Sequence, residues 1–152
     1  MRIRFVRLDV DLCEIVVTGR KGHDVRLPAA PVLGGLPHDL VHAAVEESLR
    51  IPDGFWGAVA AGATFDGFEP LEPRRHRSSG AKVLRRRGDR VMAGELKVNY
   101  VYRLWRGLPR TGTGPSPLSP EEILTASAAI DAAETRWRNT PTGSALEWTW
   151  HL

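Results

Sequence analysis

The hydrophobic pattern of this chain changes period twice, and that limits the folds open to it. Near the start, Ile3, Phe5, Val6, Leu8 and Val10 carry strand-favouring side chains broken by arginines. Glu14 to Thr18 is a second run rich in β-branched residues. Asp9-Val10-Asp11 marks a turn between them, and Arg20-Lys21-Gly22-His23-Asp24 marks another before a short third strand over Val25 to Leu27. At the far end Leu146, Trp148, Trp150 and Leu152 alternate, which places them on one face of a strand. In between, Pro37, Leu40, Val41, Ala44, Val45, Ser48 and Leu49 recur at helical spacing. Strands at both ends around a helical middle predict an α+β fold. It is an antiparallel β-meander joined by the C-terminal strand, with three to four helices packed on one face and the termini close together.

The punctuation of the middle divides it further. Residues 28–35 contain Pro31 and a Gly34-Gly35 pair and read as a loop. The helix that opens at Pro37 stops before Pro52, because a residue preceding proline avoids the α region. Phe55 to Ala63 reads as a short buried helix whose Gly57 and Gly62 allow close packing. Residues 66–88 are rich in proline and arginine and read as one long loop. Residues 90–106 fit a strand and a helix alike; their length and the stop at Gly107 favour a helix. A Gly/Pro/Thr/Ser linker covers 108–118. Ser119, Pro120 and Glu122 then form a capping-box start for a helix running to about Arg138. Neither side of the linker has a convincing core of its own, so residues 1–152 read as one domain.

Composition excludes several classes. A chain of 152 residues buries roughly two-thirds of its unfolded surface and needs no disulfide or metal to fold. Its 42% hydrophobic and 26% charged content is that of a globular protein. Cys13 is the one cysteine, so an internal disulfide is excluded, and its place in a strand reads as a buried inert thiol. The N-terminus alternates charged and apolar residues rather than carrying the apolar core of a signal peptide, and the longest apolar stretch, Phe55 to Phe65, is too short to span a bilayer. The expectation is a cytoplasmic protein without a membrane partner.

Metal chemistry is written into one spacing. His38 and His42 stand four apart on the predicted helix, so their imidazoles lie on nearly one face, a turn apart. Two imidazoles so placed can chelate a divalent metal such as zinc, and Glu46 lies a further turn along the same line. His23 and His151 are the remaining histidines that the fold could bring in as a third ligand. The competing reading is structural: the two histidines border the apolar stripe of Leu40, Val41, Ala44 and Val45, Asp39 complements the helix dipole, and Glu46 and Glu47 form a solvated face.

The pattern His38-Asp39-Leu40-Val41-His42 resembles the His-Glu-x-x-His signature of zinc metallopeptidases. That resemblance implies His38 and His42 as metal ligands and Asp39 as the general base acting on a metal-bound water. The chain departs from the signature in its shorter acid and in lacking a third ligand at a family spacing. The wider block from Leu36 to Phe65, with Leu-Pro-His-Asp-Leu-Val-His ahead of Gly-Phe-Trp-Gly, resembles a group of small uncharacterised bacterial proteins; that likeness implies no mechanism.

A second candidate is the basic run of Arg74, Arg75, His76, Arg77, Lys82, Arg85, Arg86, Arg87 and Arg90, in which Asp89 is the one acid. Guanidinium groups bind phosphates bidentately, which admits a phosphate or nucleic-acid partner. No aromatic residue is interleaved to stack on bases, and the bland reading is a solvated loop in an arginine-rich chain. Three roles follow: a domain acting through protein contacts or self-association, ranked first because it asks least of the residues; a metal-binding protein or metal-dependent hydrolase; and a phosphate or nucleic-acid binder.

Overall fold

The computed structural model describes residues 1–72, 80–110, 112 and 114–152. Strands β1 (Arg2–Arg7), β2 (Leu12–Thr18) and β3 (Val25–Leu33) form the meander, followed by the two-residue strand β4 (Leu36–Pro37). Helices α1 (His38–Ser48) and α2 (Phe55–Ala60) come next, then the short strand β5 (Glu69–Pro70). The long helix α3 (Gly80–Trp105), helix α4 (Pro120–Arg138) and strand β6 (Ala145–Thr149) complete the chain. The sheet runs β4-β3-β2-β1-β6, with β5 also on β3, and its pairings are antiparallel. β6 lies against β1, Phe5 opposite Leu146, and the Trp150 N–H donates to the Met1 carbonyl at 2.8 Å, so the termini meet as expected.

One face of this sheet is the core. Ile3, Phe5, Cys13, Ile15, Val17 and Leu146 are buried, while Arg2 and Arg4, which alternate with them, are exposed. The helices cover the apolar face. Trp56, fully buried, meets Phe5 edge-on with ring centroids 6.0 Å apart. Trp137 and Trp150 are buried as well, so the C-terminal tryptophans serve packing. α4 has the capping box read from the sequence: Ser119 Oγ accepts from the Glu122 N–H at 3.1 Å, and Glu122 Oε2 accepts from the Ser119 N–H at 2.7 Å.

Two segments differ from the sequence reading. The expected loop at 28–35 is mostly strand, because β3 continues to Leu33. Its prolines are tolerated because Pro28 falls where the β2–β3 register shifts, and on the other side of β3, β4 and β5 pair just with its two ends. Gly34 and Gly35, with φ of 65° and 86°, make a two-residue hairpin into β4 of the type I′ kind, which needs positive φ at both positions. The expected loop at 66–88 is helix from Gly80 onward, so α3 begins ten residues before the predicted start at 90. Arginine, lysine and leucine are good helix formers, and the first half of α3 has no strong apolar stripe to betray it. Only Val83 and Leu84 pack there, half-buried, against Ala58 and Ala63. The buried stripe proper is Val91, Gly94, Val98 and Val101. Among the described residues no helix is long and apolar enough to cross a membrane.

Cys13 is fully buried on the core face. Burial, with the negative charges of Asp39 and Glu14 adding to it, pushes its thiol up to about 12. Native protein should therefore resist a thiol-specific disulfide reagent at pH 8 and react fully once unfolded in denaturant. Rapid reaction of the native state would contradict the packing.

Candidate metal centre

Pro37 ends β4 and caps α1, with φ of −61° and ψ of 130°, so that α1 starts at His38. One turn later comes His42. The two rings lie 4.8 Å apart, centroid to centroid, and nearly perpendicular. The third member comes from α3: His42 Nε2 is 3.0 Å from Glu95 Oε2. One ligand atom each from His38, His42 and Glu95 can be chosen so that all lie within 4.8 Å of one another. Zinc bonds of about 2.0–2.2 Å place tetrahedral nitrogen and oxygen donors roughly 3.3 Å apart. The His42–Glu95 pair already stands near that spacing, and the half-buried His38 has the remainder to close. Tyr102, also on α3, packs edge-on against His38 at 5.9 Å, and Phe55 leans on His42 at 5.3 Å.

Glu46 is the correction to the sequence reading. It lies on the same helix, yet its carboxylate turns away from this group and toward α2. Oε1 accepts from His42 Nδ1 and from the Phe55 N–H, each at 2.8 Å, and Oε2 accepts from the Trp56 N–H at 3.0 Å. The residue is fully buried, not part of a solvated face. A carboxylate saturated by three donors on the far side of the imidazole orients that ring and lies outside the three-residue group. Space for it is made by glycine: a Cβ on Gly54 would lie 2.5 Å from the Glu46 Oε2, and a Cβ on Gly94 would lie 3.0 Å from the Gly54 Cα. A Cβ on Gly57 would overlap the Pro52 carbonyl. The Gly-Phe-Trp-Gly segment is thus fitted against α1 and α3 with no room for side chains at its glycines.

Charge follows this geometry. Burial works against a charged His42, but hydrogen bonds to Glu46 and Glu95, and the charges of both, prevail and raise it from 6.5 to about 9. Metal-free protein at neutral pH therefore holds an imidazolium donating to a carboxylate from each nitrogen. His38 moves the other way, lowered by burial and then by the His42 charge. Glu95 is lowered, chiefly by its hydrogen bond from His42. Burial raises Asp39, with the nearby charge of His42 opposing and that of Glu95 adding. The Asp39 backbone carbonyl accepts from the buried Trp56 indole at 2.8 Å, which ties the start of α1 to α2.

His38 and His42 are therefore brought together as their spacing implies, and Asp39 stands beside them outside the three-residue group. His23 and His151 are both exposed and belong to other surfaces. Glu95 is not among the candidates that local spacing offers. Its signal is faint: a carboxylate on the flank of the α3 stripe, with no sequence interval that ties it to the histidines. The arginine run divides. Arg74, Arg75 and Arg77 lie outside the described residues. Arg85 and Arg86 are exposed on α3, with Lys82 beside them. Arg87 and Arg90 bind Asp53, at 2.6 Å and 3.1 Å, and so hold the turn that leads into Gly54.

Comparison with protein-family models, curated proteins and solved structures finds no match to this chain. The geometry of the side chains is what speaks to function.

Proposed function

We propose that this is a divalent-metal-binding protein in which His38, His42 and Glu95 hold one first-row transition metal, zinc foremost. The observation that carries the reading is the convergence of these three donors, from helices more than fifty residues apart in sequence, within 4.8 Å. The carboxylate of Glu46 on the second nitrogen of His42 supports it, since metal-binding imidazoles ordinarily donate their other N–H to such a partner. A purely structural histidine pair does not call for a half-exposed third donor from another helix.

Two imidazoles and one carboxylate are one of the donor sets of catalytic zinc sites, which leave a position for water or substrate; structural sites are closed by four protein ligands. The chemistry such a site supplies is a water ionising near pH 7 and a Lewis acid for a carbonyl or phosphoryl oxygen. Hydrolysis is the reaction class that uses both, and Asp39 is the candidate base, its carboxyl raised by burial beside the ligands.

The test is metal content by mass spectrometry on untagged protein reconstituted with zinc. Wild type is expected to hold one equivalent, and His38→Ala/His42→Ala and Glu95→Ala to hold none while remaining folded. Asp39→Asn is expected to keep the metal, because its carboxyl is not among the donors. Metal-free wild type after reconstitution, or full retention in the double variant, would overturn the reading.

A further inference from the structure

We infer that Glu46 couples metal binding to the docking of the turn before α2, so that the centre and the 53–56 segment order together. The inference rests on the metal reading above and goes beyond it, because it assigns a role to residues that touch no metal. One carboxylate makes both connections. Its Oε1 holds His42 Nδ1 and the Phe55 N–H, and its Oε2 holds the Trp56 N–H. With Nδ1 committed to Glu46, His42 can ligate only through Nε2, the nitrogen that faces Glu95. The donors at Phe55 and Trp56, in turn, find their acceptor only while Glu46 keeps this orientation.

The surroundings allow the carboxylate a single place. Gly54 leaves no room for a Cβ beside it, and Gly94 of α3, the neighbour of the ligand Glu95, backs directly onto Gly54. Asp53, the residue before Gly54, is held from the α3 side by Arg87 and Arg90. The chain of contact runs from Glu95 and Gly94 on α3, through Gly54 and the two amides, to Glu46 and His42 on α1. A metal held by Glu95 and His42, whose donors already stand 3.0 Å apart, fixes α1 and α3 on either side of the wedge that seats Gly54. By reciprocity, anything that displaces the turn weakens the metal. Glu46 is thus a positioning residue, and Gly54 acts through it.

Two readouts test this on the full-length protein: zinc affinity, by competition with a chromophoric chelator, and amide hydrogen exchange at Phe55 and Trp56, with and without zinc. In wild type, zinc is expected to slow exchange at both amides. Glu46→Gln, which loses one acceptor oxygen, is expected to weaken zinc about 10–100-fold and to abolish the zinc-dependent slowing. Gly54→Ala changes no ligand and should weaken zinc as well, by pressing on the carboxylate. A merely structural Glu46 would lower stability and leave zinc affinity unmoved. Wild-type affinity in both variants, or zinc that leaves the two amides unaffected in wild type, overturns the coupling while the metal reading stands. Wild type that binds no zinc overturns the metal reading and the coupling with it.

Discussion

His42→Ala is expected to destabilise the metal-free protein by about 3–5 kcal/mol, measured by chemical denaturation at pH 6.5. The His42 ring is 2% exposed and Glu46 is 0% exposed, so removing the imidazolium strands a buried carboxylate with two amide donors and no counter-charge. Loss of ring packing against His38 and Phe55 adds to this. The same ion pair fixes a pH dependence. A histidine raised from 6.5 to about 9 contributes stability that is fully present below 6.5 and lost as pH rises through 9. The rise corresponds to about 3 kcal/mol. Metal-free wild type should weaken by that order between pH 6.5 and 9.5, and His42→Ala should show no such decline. Glu95, lowered by its bond to His42, sets the acid side: its contribution is present above its unfolded value and fades as pH falls through the folded one. A flat wild-type profile from 6.5 to 9.5, or a variant within about 1 kcal/mol of wild type, would refute the buried pair.

What could be read from the sequence was what local spacing encodes. The i,i+4 histidines, the capping box at Ser119 and Glu122, and the alternation of Leu146, Trp148 and Trp150 each require only a helix or a strand to take effect, and each is present as expected. The antiparallel meander and the return of β6 to β1 follow from short turns and from apolar faces that must be buried together. Glu95 and Glu46 were not legible for one shared reason. Their roles depend on the contact of α1 with α2 and α3, and no sequence interval encodes that contact. A carboxylate at the third turn of an amphipathic helix is ordinarily solvated; Glu46 is buried because Gly54 leaves room for it beside the Phe55 and Trp56 amides. Residues 80–88 read as loop because a run of arginines has the composition of one. Helix propensity, and the weak apolar pair Val83 and Leu84, decided otherwise.

Zinc binding at pH 6.5 is expected to release about one proton per ion, from His42. Burial lowers His38 and the bond from His42 lowers Glu95, so both shifts favour the forms that have no proton to surrender. His42, raised to about 9, carries one on each nitrogen; the Nδ1 proton stays with Glu46 and the Nε2 proton must leave for the metal. Calorimetry in two buffers of different ionisation enthalpy counts it directly. A count near zero would mean that zinc does not bind through His42, and a count near two that His38 is charged as well. The count also dictates how the metal competes. With the His42 proton displaced, affinity should rise by at least about tenfold per pH unit up to about 9, ionisation of a bound water steepening the slope above about pH 7, which adds at least about 1.4 kcal/mol of stabilisation per unit at fixed free zinc. Metal-free protein weakens over that same interval as His42 loses its charge. The midpoints of the two forms should therefore diverge with pH, because the proton and the metal are rivals for the same nitrogen.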